Sequence, residues 1–183
     1  QRAFAREHLA VQRELAAGRQ RGNPPEATLL RMQAQGLRQV HLLQGAGGVG
    51  KTVLLAAMER VMRRLGLGAM VVTAWTGVAS APFGSPTLCS LLKIDFASMT
   101  AEKPISEESL NLWRAAFAEA ACDPKDLLVF TIDEASFLVP EALYHVDVQL
   151  RRLRGVPDVP FGGVALLLAG DFWQKSPPGG TSM

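Results

Sequence analysis

Apolar residues recur at helical intervals through the first 18 residues (Phe4, His8, Leu9, Val11 and Leu15), and Gly18 supplies a stop. Residues 19–26 form a basic connector ending in Pro24-Pro25-Glu26, and a second short helix is predicted from Ala27 to Gln35, closed by Gly36. The period then shortens. Val40 to Gln44 reads as a buried strand, followed by a glycine-rich turn and a long amphipathic helix from Lys51 to about Leu65. Ala69 to Thr73 is a second strand, and the Thr-, Gly-, Ser- and Pro-rich stretch after it carries short helices to about Leu92. Residues 95–105 read as a loop. A helix starts at Ser106, whose hydroxyl is a cap and whose successors Glu107 and Glu108 suit the positive end of the helix dipole, and it runs to about Ala121. Leu127 to Ile132 is a third strand with an almost continuous apolar face, Pro140 to Arg154 a helix, and Val164 to Ala169 a fourth strand. The tail, 176–183, shows no periodicity.

Strands rich in Val, Leu and Ile, separated by helices, predict an α/β fold whose parallel sheet is covered on both faces. Ligands of such sheets gather at the carboxyl ends of the strands. The chemically suggestive residues of this chain all follow strands. Composition agrees with that class: 183 residues, 48% hydrophobic and 20% charged, exclude a disordered tail, a collagen-like fibre and a disulfide scaffold. No apolar run approaches the length of a membrane span. Cys89 and Cys122 lack metal-ligand spacing, as do His8, His41 and His145, so the expected setting is reducing and intracellular.

Charge changes the picture slightly. The net charge is +2, yet residues 1–64 hold 11 basic and 4 acidic side chains while residues 65–150 hold 4 basic and 11 acidic. One surface facing a polyanion and ordinary solvated helix faces both account for this asymmetry. Arg60, Arg63 and Arg64, and likewise Arg151, Arg152 and Arg154, fit solvated helix ends near the negative end of the helix dipole.

The candidate chemistry is concentrated in three places. Gly45-Ala46-Gly47-Gly48-Val49-Gly50-Lys51-Thr52 satisfies the pattern G-x-x-x-x-G-K-[ST]. Its glycines let successive backbone N–H groups turn toward phosphate oxygens, and the following helix adds its positive N-terminus. Lys51 would neutralise the terminal phosphates of ATP, and the Thr52 hydroxyl would bind Mg²⁺. Asp133-Glu134 closes the third strand; adjacent residues leaving a strand point in different directions, which lets Asp133 serve the metal and Glu134 the attacking water. Gly170-Asp171-Phe172-Trp173-Gln174 follows the fourth strand, where the Gln174 amide can bond both a terminal phosphate oxygen and water.

The order and wording of these segments resemble the Pif-type DNA helicases, the superfamily 1B branch that includes RecD-like enzymes. Gln1-Arg2-Ala3-Phe4 is similar to the end of that family's adenine-reading segment, which makes Gln1 its glutamine. Thr73-Ala74-Trp75-Thr76-Gly77-Val78-Ala79-Ser80 resembles "TAPTGVAA", and Gly84 to Ser90 resembles "G.TIHS". Ile132 to Phe137 resembles "IDEISM", and Phe161-Gly162-Gly163 with Gly170 to Gln174 resembles "FGG…GDF.Q". Trp75 stands where the family has Pro, Cys89 where it has His, and Lys175-Ser176 where it has Leu-Pro.

The resemblance implies a RecA-like P-loop ATPase domain over 37–175, preceded by a helical segment over 1–36 and followed by an unstructured tail over 176–183. It implies ATP and Mg²⁺ as cofactors, with Lys51, Glu134 and Gln174 catalytic and Gln1 and Gly45 to Thr52 holding the nucleotide. It further implies 5′-to-3′ translocation on single-stranded DNA, unwinding at duplex junctions, roles in DNA repair, recombination and telomere maintenance, and a nuclear or mitochondrial place in a eukaryote. Thr73, Trp75, Thr76, Gly77, Phe83 and Thr87 would face the strand; hydroxyls and glycine offer donors to phosphates, and Trp75 and Phe83 either stack on bases or pack at the edge of the core. The family's second RecA-like domain, which supplies the arginine completing the ATP site, has no counterpart here, so the expectation is a first motor domain from a truncated product, with weak binding and slow hydrolysis alone. An ATP-dependent switch that recruits partners without translocating, and a mobile-element remnant, remain the alternatives.

Overall fold

The computed structural model describes residues 40–92, 107–119 and 123–173. The expected helices within 1–36, the Ser106 cap, the loop over 95–105, Cys122 and the tail over 176–183 lie outside the described residues. Four parallel strands, β1 (Val40–Gln44), β2 (Ala69–Ala74), β3 (Leu127–Asp133) and β4 (Ala165–Gly170), form one sheet among the described residues, in the order β1-β4-β3-β2. The two central strands are β4 and β3, every residue of which is buried, whereas the expectation that Val40–Gln44 is buried is corrected, because β1 lies at the edge of the described sheet. β1 is an edge strand and alternates, with Val40 and Leu42 exposed.

Helix α1 (Lys51–Arg64) covers one face. Its Leu55 and Met62, two turns apart, pack with Met70 and Val72 of β2, Leu128 and Val129 of β3, and Leu167 and Ala169 of β4. After β2 comes the short helix α2 (Gly77–Ser80), and the opposite face takes the short helix α3 (Leu88–Leu92), then α4 (Glu107–Glu119) and α5 (Pro140–Arg154). Leu88, Trp113, Phe117, Ala142, Val146 and Leu150 from α3, α4 and α5 pack there against Phe130, Ile132, Leu166 and Leu168. Trp113 stacks on Phe130 with ring centroids 5.5 Å apart, which centres this half of the core on one aromatic pair. The covered parallel sheet that the hydrophobic pattern predicts is therefore present, with the strand boundaries displaced by a single residue at most.

The basic end of α5 is pinned rather than solvated. Arg151 holds Asp147 through Nε at 2.9 Å, a bond that raises its guanidinium pKa above the ordinary value, and Asp147 also accepts the backbone N–H of Phe161. Arg154 donates to the carbonyls of Pro124 (3.0 Å) and Leu127 (3.2 Å) at the entry to β3, and Arg152 pairs with Glu107 of α4 at 3.5 Å. The solvated role expected for Arg151 and Arg154 is thus corrected, while Arg152 stays exposed. Arg154 ties α5 to the start of β3, and the Arg151–Asp147 pair ties it to the turn that leads into β4.

That return passes through Phe161-Gly162-Gly163, all three left-handed. Gly162 has φ +59°, and a Cβ there would lie 2.5 Å from the Leu150 carbonyl oxygen, so both conformation and space demand glycine. Gly155, which ends α5 in a Schellman turn with Val156 N–H on the Arg151 carbonyl at 3.1 Å, has φ +67° but open space around it. Gly155→Ala then carries only the left-handed cost of about 1–2 kcal/mol, whereas Gly162→Ala adds an overpacking cost of about 1–3 kcal/mol. Urea unfolding of the two variants checks this: Gly162→Ala has the lower midpoint, and equal midpoints would refute the packing argument.

Candidate nucleotide-binding site

Parallel strands bring their carboxyl ends to one edge, and the strand order decides which ends meet. β4 lies between β1 and β3. The Gly45 N–H therefore donates to the Gly170 carbonyl at 3.2 Å, so the glycine-rich loop begins on the tip of β4. On the other side of that tip, a Cβ on Gly170 would lie 3.2 Å from the backbone nitrogens of Ala135 and Ser136. The glycine lets the loop after β3 approach.

Gly45 to Gly50 turns back into α1, and Gly50 takes the N-cap position with φ 88°. No side chain caps α1, and no acidic residue sits in its first turn. The helix start thus keeps its donors and its positive end for an anion. Lys51 Nζ folds over the loop and donates to the carbonyls of Gly45 (2.6 Å) and Ala46 (2.9 Å). Gly47, Gly48 and Val49 form the exposed crest between them.

Thr52 and Asp133, 81 residues apart in the chain, meet with Thr52 Oγ1 donating to Asp133 Oδ2 at 3.4 Å. Asp133 is buried at the end of β3, and its Oδ1 accepts the Glu134 N–H at 2.9 Å. Glu134 then adopts a left-handed backbone, φ 56°, which is costly for a residue with a Cβ. The turn sends the neighbouring carboxylates to different partners. Asp133 faces Thr52, while Glu134 Oε2 accepts the Thr76 hydroxyl at 2.6 Å. A hydroxyl and a carboxylate oxygen beside the start of α1 form an oxygen donor set that suits Mg²⁺, which takes few protein ligands and completes its shell with phosphate and water.

The residues expected along the strand path separate into three kinds. Thr73 is fully buried and donates to the Pro86 carbonyl at 2.7 Å. That corrects its expected contact with DNA: the buried hydroxyl is consumed in tethering the segment after α2. Thr87 caps α3 by accepting the Ser90 N–H at 3.2 Å. Trp75 packs against the α4–α5 side of the core and Phe83 against the α1 side, each half-buried, so the two rings are anchored on opposite faces of the sheet. Thr76 and Gly77 are exposed, and so is Val78, at 87%, a position the sequence reading did not single out. Asp171, at the tip of β4, accepts the Trp173 N–H at 3.1 Å. Gln1 and Gln174 lie outside the described residues.

Comparison with known proteins accords with this edge-of-sheet site. The family model for PIF1-like helicases matches residues 29–179. The ATP-dependent DNA helicase PIF1 of Trypanosoma brucei brucei is 35% identical over 130 residues, covering 71% of this chain and 12% of the relative. Among solved structures, Bacteroides Pif1 bound to ssDNA superposes with TM-score 0.57 and 28% identity, over 81% of this chain and 32% of that one. Bacteroides sp Pif1 in complex with ADP-AlF4 gives TM-score 0.58 and 28% identity, over 86% of this chain and 33% of that one. The sheet is accordingly the RecA-like P-loop fold, and the chain spans about a third of those structures and a smaller part of the trypanosome protein. With the family's model matching residues 29–179, most of the sequence, this chain belongs to the PIF1-like helicases.

Proposed function

We propose that these residues are the ATP-binding and hydrolysing part of a DNA helicase motor, which couples ATP turnover to movement along single-stranded DNA and to unwinding at duplex junctions. The observation that carries this is the meeting of Thr52 with Asp133, 3.4 Å apart, beside a helix start left free of any side-chain cap. An ammonium, a hydroxyl and a buried carboxylate around one phosphate-sized turn are what a magnesium nucleotide requires. The ssDNA and ADP-AlF4 complexes of the Bacteroides relatives support the same ligands here.

In this reading the Lys51 ammonium exchanges the Gly45 and Ala46 carbonyls for phosphate oxygens, and the N–H groups at the start of α1 cradle the same charge. Thr52 and Asp133 hold Mg²⁺, which supplies charge neutralisation to the phosphates when bound. Glu134 takes a proton from water as the water oxygen attacks the terminal phosphorus; the bond to the bridging oxygen breaks, leaving ADP and phosphate. Gln174 registers the terminal phosphate and Gln1 the adenine. Exposed Thr76 and Gly77 supply donors to the strand backbone. The second RecA-like domain that a full motor needs belongs to the longer protein in this proposal.

Two substitutions divide the roles. Lys51→Ala weakens binding of a fluorescent ATP analogue by at least about tenfold, the consequence of losing a charge-assisted contact of about 1.5–3 kcal/mol. Glu134→Gln keeps that binding but slows single-turnover hydrolysis by about 10²–10⁴-fold. Parent-like hydrolysis by Glu134→Gln, or parent-like affinity in Lys51→Ala, would sink the proposal.

A further inference from the structure

The hydrogen bond between Thr76 Oγ1 and Glu134 Oε2, 2.6 Å long, is the shortest route from the candidate strand-facing segment to the residue assigned to water. Thr76 follows the end of β2 and caps α2, where the same Oγ1 accepts the Ala79 N–H at 3.4 Å. A hydroxyl has one proton to give. Here it is given to Glu134, while its lone pair serves the short helix. Thr76, Gly77 and Val78 are exposed, so the bond lies where an incoming polymer can reach it. At the other end, the left-handed backbone of Glu134 aims its carboxylate at β2 rather than along the path that Asp133 takes to Thr52.

We propose that Thr76 is a positioning residue that restrains Glu134 against the tip of β2 until single-stranded DNA takes over its hydroxyl. A backbone phosphate is itself an anionic acceptor. Bound at Thr76–Gly77, it competes for the hydroxyl proton and repels the carboxylate, and both effects turn Glu134 free to meet the water. The inference deepens the proposed function and rests on it for the identity of the strand. The restraint itself rests only on the Thr76–Glu134 geometry.

The test compares the parent protein with Thr76→Val, which keeps the side-chain shape and removes the donor, and with Thr76→Ser, which keeps the donor. Initial ATP turnover is measured over a range of ATP concentrations, with and without an oligo-dT strand. Binding of a fluorescent ADP analogue reports an intact fold and nucleotide loop in each variant. Thr76→Val is expected to raise DNA-free kcat by about tenfold, the factor for one hydrogen bond to a charged group, with KM for ATP unchanged. Its stimulation by oligo-dT shrinks toward unity, and Thr76→Ser restores both readouts. A DNA-free kcat in Thr76→Val equal to or below that of the parent overturns the proposal. A raised DNA-free kcat with undiminished stimulation overturns the part assigned to the strand. A parent that neither binds nor responds to oligo-dT refutes the strand-binding reading, and the DNA-free comparison then still decides whether the restraint exists.

Discussion

The site depends on one packing constraint: the tip of β4 has to be narrow enough for the loops after β1 and β3 to close on it from either side. Gly170 meets that constraint. Its carbonyl receives the Gly45 N–H, and its missing side chain leaves room for the backbone at Ala135 and Ser136. A side chain there would press on that backbone, which would have to give by a few tenths of an ångström. The sheet order, with β4 between β1 and β3, thus places the smallest residue where the two loops come nearest to each other.

Much of this was legible in advance because it is written in local pattern. β3 and β4 are almost continuous apolar runs, the usual look of a strand buried on both faces. α1 shows its stripe through Leu55 and Met62, and its loop has the spacing G-x-x-x-x-G-K-[ST]. That Asp133 and Glu134 face different partners could be expected from adjacency alone. The left-handed turn that separates them could not be foreseen, since glutamate has no preference for that conformation and adopts it only because the surrounding structure over-determines it.

What stayed hidden was hidden for one reason: it involves partners distant in sequence. A threonine after a strand looks equally suited to a phosphate contact, a helix cap or a buried tether, and Thr73, Thr76 and Thr87 turn out to be engaged in different ways. Arg154 at the end of α5 looked like solvent-facing charge because its acceptors, carbonyls at Pro124 and Leu127, carry no sequence signature. Phe161-Gly162-Gly163 stood beside the catalytic segments as a family likeness, yet its observed role is architectural. It is the left-handed return that lets β4 begin against the flank of α5.

These two kinds of information meet at β4. The turn at Gly162 fixes where the strand starts, and Gly170, the last of the six residues of β4, fixes how closely its far end is approached. Between them the strand is wholly buried, with Leu166 and Leu168 on one core and Leu167 and Ala169 on the other. A strand packed from both faces cannot slide by one residue without exchanging its two sets of side chains. The register that positions Gly170 beside Gly45 is therefore held by the hydrophobic core rather than by any residue of the site. In this chain the candidate site inherits its geometry from the apolar middle of the sheet.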